Sequence, residues 1–407
     1  MSILRSLSLG TIFLLRVSVA TAAEQETVEV RTLTGQTIKG NLESVNEKEL
    51  VVSGSGPIAV AQIVDLVFSA NQPLGTDKYL DVELTDGSLL HCSQFVLKGS
   101  KVELKLVQGA EIKDLPLTVI SYVLNDAQDV KNREEWQKLL AKRGKGDLLA
   151  IKAADGVVNP LEGTLGEGDA QGETIGFETS TGKKAKPRLD RIHGMAFLRQ
   201  PNPDIAPTLC KAQDISRDLL VVARLAMSDQ GYALTTVAGA KAEFPVKSFT
   251  RWDFSKGKLT YLSDLEPRVS ETSNVEEVEH YRRDKNLEGE SIQLPQKNED
   301  GVLALRMFPK GLSLHAHTEL QYNIGGEYKE FKAILGVDPK VPGDSHVKVT
   351  IEGDGKELFA GEVSRKDEPR AITLDVKNVK QLRIVVASTG LLDLGNHVCL
   401  ADAKVSK

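Results

Sequence analysis

The chain has 407 residues, 41% of them hydrophobic, a content that supports two to five compact domains. Aromatic residues make up 5% and glycine numbers 34, which suits short strands and turns better than a large helical enzyme core. The formal charge of −6 excludes a basic footprint for nucleic acid, so no nucleic-acid partner is expected.

The chain opens with "MSILRSLSLGTIFLLRVSVATAA". Arg5, the apolar run after it and the small residues Ala20, Thr21 and Ala22 read as an export signal over 1–23, cleaved before Glu24. An uncleaved anchor is the rival reading, set by Arg16 late in the run. No later stretch is long and apolar enough to span a membrane, which points to a secreted, periplasmic or cell-envelope protein. Cys92, Cys210 and Cys399 are too few and too scattered for a disulfide framework.

A repeat runs through the first two thirds. Apolar residues recur three apart in Val60, Ile63, Leu66; Leu117, Ile120, Val123; Leu189, Ile192, Met195; and Val246, Phe249, Trp252. That rhythm predicts one tight helical turn feeding a short strand. Ahead of each unit lie strand-like arms, three of them around Thr-Gly or Asp-Gly turns, as in "VEVRTLTGQTIKGNL" and "LDVELTDGSLLHCSQF". Short strands plus a one-turn helix predict small five-stranded barrels over 27–70, 77–127, 147–200 and 208–256. Between the second and third, 129–144 reads as a linker helix with Asn132 and Glu135 as a capping box and Trp136, Leu139 and Leu140 on one face. A partner-binding helix is the alternative. The repeats resemble the small barrels of the Sm-like class, a resemblance of pattern without a diagnostic motif.

The charged stretch 263–302 reads as a boundary segment. Beyond it, "ELQYNI", "HVKVTIEGDGKELFAGEV" and "RAITLDVKNVKQLRIVVAS" predict strands, with a hairpin turn at Asp354-Gly355. Six or more strands with almost no helix make a β-sandwich. His315 and His317 fall where a strand is expected to begin, which would place both on one face. Three roles are open for His315: a hydrogen-bonded structural residue, a ligand contact, or one ligand of a transition metal. Asp338, Asp344 and Asp354 could supply oxygen ligands to a structural calcium, or serve only as turn formers. No other cofactor is implied.

The motifs "YLSDLEP" (261–267), "YRRDKNLEGESIQL" (281–294), "KGLSLHAHTELQYNIGGEYKEFKAILGVD" (310–338) and "LDLGNHVCLADAKV" (392–405) occur in that order. Through them the segment 258–407 resembles the bacterial carbohydrate-binding family abbreviated NPCBM. The resemblance implies a jelly-roll, galactose-binding-like sandwich and a polysaccharide or glycan partner, with His315, Asp338, Asn396 and His397 as ligand-binding residues near the loops. The chain departs from the family at Glu288-Gly289, Asn396, Cys399 and Leu400, the last standing where the family carries Trp. Leu400 is then either a lost stacking platform or a repacked core position.

The whole reads as all-β, tandem small barrels followed by a sandwich. No nucleophile elbow, phosphate loop or metalloprotease helix appears, and no catalytic residue is assigned. The expected function is non-catalytic glycan binding. The alternatives are an envelope scaffold that binds another protein through the repeats, and an accessory subunit of a glycoside hydrolase.

Overall fold

The computed structural model describes residues 26–407 apart from 70, 73, 76–77, 154–155, 201–205, 273–279, 298–300 and 390–394. The expected export segment 1–23 lies outside the described residues. The described chain is mostly β-strand, with one α-helix, Val130–Ala141.

Residues 27–253 form four units with one ladder pattern. In the first, strands Thr27–Thr32, Thr37–Val45, Glu49–Val52, Ile58–Ala59 and Ile63–Phe68 pair first to second, second to third, third to fourth and first to fifth, all antiparallel. The second unit (Leu80–Leu124), the third (Asp147–Ala196) and the fourth (Cys210–Asp253) repeat it. Register shifts at Leu42/Ser44, Cys92/Gln94, Leu165/Gly168 and Val222/Arg224 put an irregularity in every long second strand. Such bulges bend and twist a strand, which lets one strand serve both halves of a curled sheet.

The three-residue rhythm has a structural origin. Three-residue 3-10 turns at Val60–Gln62, Leu117–Val119 and Leu189–Arg191 deliver Ile63, Ile120 and Ile192 to the start of the fifth strand. These residues are 0%, 0% and 4% exposed, and Phe249 at the equivalent place is 0% exposed. In the fourth unit a turn with Lys247 at φ 68° replaces the 3-10 helix.

The units are joined through their fifth strands. Ile63–Phe68 pairs with Phe249–Asp253, placing Leu66 opposite Trp252, and Ile120–Leu124 pairs with Ile192–Ala196, placing Val123 opposite Met195. The second and fourth units exchange side-chain caps: Val221 N donates to Ser88 Oγ at 2.9 Å, and His91 N donates to Asp218 Oδ1 at 2.6 Å. One buried apolar cluster runs through all four.

The helix covers the junction of the second and third units. Trp136 is fully buried beside Tyr122, Leu148 and Ala196. It fits because residue 194 is glycine: a Cβ there would stand 2.7 Å from the indole ring. The N-cap is Asp129, which accepts from Lys131 N at 2.9 Å, whereas the expected cap residue Asn132 donates to Asp126 O. Asp129 wins because it carries extended backbone (ψ 116°) just before the first turn, as a cap requires.

The C-terminal part is a two-sheet sandwich. One sheet has the order Arg282–Arg283, Gly311–His315, His397–Ser406, Glu330–Gly336, Arg370–Asp375, with Leu259–Tyr261 also on His397–Ser406. The other runs Arg268–Glu271, Thr318–Asn323, Gln381–Ser388, His346–Gly353, Lys356–Ser364. Between them lie Leu314, Leu320, Phe331, Ile351, Ile384 and Leu400. Asp354 and Gly355, both at positive φ, close the hairpin read from the sequence. A further hairpin, Ile292–Lys297 with Leu303–Phe308, lies on the outer face of the first sheet through Ile292, Leu294 and Phe308. The described parts of the charged segment 263–302 thus belong to the sandwich.

Candidate functional site

The four residues singled out in the sequence converge at one end of the sandwich. Antiparallel register sets His315, the last residue of its strand, opposite His397, the first of its own. Asn396 adjoins His397, and Asp338 follows strand Glu330–Gly336 closely enough for its carbonyl to lie 3.4 Å from His397 Nε2. Chain separation between them reaches tens of residues, so the sheet rather than local sequence assembles the group.

All four lie beneath the surface, His315 and Asn396 at 7% exposure, His397 at 2% and Asp338 at 0%. Asp338 accepts from Lys340 N at 2.9 Å, Gln293 N at 3.0 Å and Asn286 Nδ2 at 3.2 Å, so it organises two loops at once. Asn396 accepts from His346 N at 3.0 Å and donates to Ser388 Oγ at 3.1 Å. His397 Nδ1 lies 2.9 Å from Gly395 O, its backbone N–H donates to Ser345 Oγ at 3.0 Å, and burial lowers its basicity. His315 Nδ1 lies 2.6 Å from Ala316 O, and its Nε2 faces Glu271 Oε1 at 3.4 Å.

His317 does not share a face with His315. It occupies the turn after the strand at φ 64°, and alternation stops where the extended backbone stops. The aspartates considered for calcium are dispersed in role: Asp338 is engaged as above, Asp354 accepts from Lys380 N and Gln381 N beside its hairpin, and Asp344 is exposed. Among the described residues no group of three or more His, Cys, Asp or Glu is placed to hold a metal.

Two residues that sequence reading missed complete the end. The Glu271 side chain is 8% exposed; its Oε1 accepts from Tyr281 N at 2.6 Å and faces His315, and its Oε2 lies 2.9 Å from His280 Nδ1. Arg365 donates to the carbonyls of Pro339, Val341 and Gly343, fixing the loop that Asp338 begins. Nothing in the local sequence marks either; Glu271 sits in the charged stretch and Arg365 among other loop charges. The buried frame leaves His280 and His346 exposed on its rim.

At two of the positions of departure, Leu400 lies fully buried between the sheets and Cys399 packs with Ala401 beneath the outer hairpin. Residue 400 is therefore a core position in this chain. Burial raises the Cys399 thiol to about 12, which keeps it protonated and without nucleophilic character at neutral pH.

Residues 258–406 match the family model described as the NPCBM/NEW2 domain. A protein of Renibacterium salmoninarum that bears the name of an endo-alpha-N-acetylgalactosaminidase is 27% identical over 84 residues, covering 20% of this chain and 6% of its own length. The chain therefore spans only a small part of that curated relative. Among solved structures, the CBM51 of a Clostridium perfringens GH95 protein in complex with methyl-galactose is 24% identical, with 36% of this chain and 99% of that one covered at a TM-score of 0.32. The tandem CBM51 modules of a Streptococcus pneumoniae family 98 glycoside hydrolase are 13% identical, covering 63% and 88% at a TM-score of 0.32.

Proposed function

We propose that the chain, whose residues 258–406 carry the NPCBM/NEW2 domain, is a non-catalytic glycan-binding protein that recognises its ligand at the loop end of the sandwich. The observation that carries this reading is the family match, which spans the two sheets and the loops they hold. His315, Asp338, Asn396 and His397 act in it as a buried frame. They fix the loops, and the exposed His280 and His346 meet sugar hydroxyls. A shallow polar rim offers few desolvated contacts, so dissociation constants on the order of 0.01 to 1 mM are expected. The name borne by the Renibacterium relative supports an accessory role beside an enzyme that acts on glycans.

The test is a glycan panel followed by calorimetric titration of the full chain. His280→Ala and His346→Ala are expected to weaken binding by about 1 kcal/mol each with unchanged melting. Absence of binding to every glycan at millimolar concentration would overturn the reading.

A further inference from the structure

At the far end of strand His397–Ser406 from His397, strand Leu259–Tyr261 ties the sandwich to the fourth unit. Beside it, a cleft of about 580 Å³ opens between the sandwich and the first and fourth units, a size that accommodates a small ligand. Six cations line it: Arg31, Lys211, Arg251, Lys256, Arg306 and Lys310. With the ion-pair partners of these groups included, Lys404 joins the cations, and Asp65 and Asp284 join Asp253, Asp264 and Asp402, so among the described residues seven cations stand against five carboxylates and two positive charges are in surplus. This surplus stands out on a chain of net charge −6.

The pairing pattern shows where the surplus lies. Arg31 and Arg251 share the carboxylate of Asp65, and Arg251 also reaches Asp253 at 3.9 Å, while each stays 44% exposed; Lys310 is held by Asp264 and Asp284. Lys211, Lys256 and Arg306 are exposed and have no carboxylate partner among the described residues: Lys256 donates to Thr208 Oγ1 and Arg306 to Gln296 Oε1. Between these charges stand Tyr261 and Met307, the latter 66% exposed, which give the cleft an apolar wall. Cations around an apolar wall match a sugar ring that carries acidic substituents, because the ring has apolar faces and each acid takes a charge-assisted hydrogen bond.

We infer that this cleft is a second saccharide subsite, taking an anionic glycan that bears two carboxylate or sulfate groups, held by Lys211, Lys256 and Arg306. The inference rests on the glycan-binding reading but not on the loop end of the sandwich. It explains why the repeats and the sandwich occur in one chain: the cleft exists only where they meet.

The full chain is titrated calorimetrically with oligogalacturonate, a sulfated dextran oligosaccharide and neutral dextran, at low and at physiological salt. At least one anionic probe is expected to bind about tenfold more tightly than neutral dextran and to weaken as salt rises. If only one binds, its identity separates carboxylate from sulfate as the acid recognised. The triple variant K211Q/K256Q/R306Q is expected to lose about tenfold in that affinity, and a control triple on exposed sandwich lysines, K348Q/K356Q/K377Q, to lose none. Equal affinity for neutral and anionic probes, or equal loss in both triples, overturns the subsite. If the cleft variants lose anionic binding while no neutral glycan binds at all, the loop-end reading fails and the cleft stands.

Discussion

Asp214 and Asp218 face each other across one tight turn, both at 0% exposure. Asp214 accepts from Ser216 N and Asp218 N at 2.8 Å, and Asp218 accepts from His91 N. Each keeps one carboxylate oxygen without a hydrogen-bond partner, which a proton shared between them would satisfy. Burial raises Asp214 to about 8 and Asp218 to about 7, while burial lowers His91 and raises Asp81 nearby, with Arg133 at the rim of the cluster. A carboxyl whose folded pKa lies above its unfolded value near 4 binds more protons folded than unfolded, so stability falls as pH climbs from about 4 to 8. Asp214→Asn keeps the acceptor oxygen and supplies a permanent N–H toward Asp218. It should match the wild type at pH 5 and exceed it at pH 8 by about 1–2 kcal/mol in urea unfolding; a variant less stable at both would exclude the shared proton. Asn396 poses a different case. Asn396→Ala removes the acceptor of His346 N and the amide that donates to Ser388 Oγ, and about 1–3 kcal/mol of stability should be lost along with loop order. Family motifs picked out His315, Asp338, Asn396 and His397, and the sheet register does bring them together. That they lie under the rim was not legible, because burial is decided by loops whose course the motifs do not encode. Glu271 was missed for the same reason: its partners His280, Tyr281 and His315 are up to 44 residues away, as the numbering shows.

At the scale of elements, the rhythm of three was readable because a 3-10 turn spaces its buried residues that way and the strand start must point inward. The fourth unit kept the buried position at Phe249 while losing the helix, since Lys247 at positive φ turns the chain by another route. What stayed hidden was partnership: nothing in "IVDLVF" announces that it pairs with "FTRWD" more than 180 residues later. The helix offers a direct test of packing. Gly194→Ala would set a methyl 2.7 Å from the Trp136 ring, so the indole or the strand must shift at a cost of about 1–3 kcal/mol. A melting temperature equal to the wild type would show the ring free to move. The hairpin Ile292–Lys297/Leu303–Phe308 offers a two-faced comparison. Leu294 is fully buried on the sandwich, whereas Leu305 on the opposite face is 54% exposed. Leu294→Asp should destabilise by about 3 kcal/mol or more and Leu305→Asp by about 0.5 kcal/mol or less. Equal effects in denaturant titrations would mean that the outer face is covered in solution.

At the scale of the whole molecule, apolar burial among the described residues gathers into two principal cores, one under the repeats and one in the sandwich. One apolar cluster draws residues from Val28 to Phe254, through all four units, and a second draws residues from Leu262 to Val405. A unit of about fifty residues buries too little surface to be secure alone, and strand pairing across units makes each depend on its neighbours. Calorimetric melting should therefore show two transitions, one for 27–254 and one for the sandwich. Ile120→Asp places an unpaired charge at a fully buried position of the second unit. It should lower the first transition as a single event, at a cost of about 3 kcal/mol or more, and leave the second near its wild-type temperature. Lys258 could blur the separation, since its ammonium donates to Val60 O at 2.5 Å and Ile63 O at 2.9 Å and so ties the root of the sandwich to the first unit. In the variant, loss of that tie should cost the sandwich only the few contacts around Leu259–Tyr261. Separate melting of the four units in the wild type, or a sandwich transition that falls together with the first, would show that cooperativity follows the repeats or the whole chain instead of the two cores.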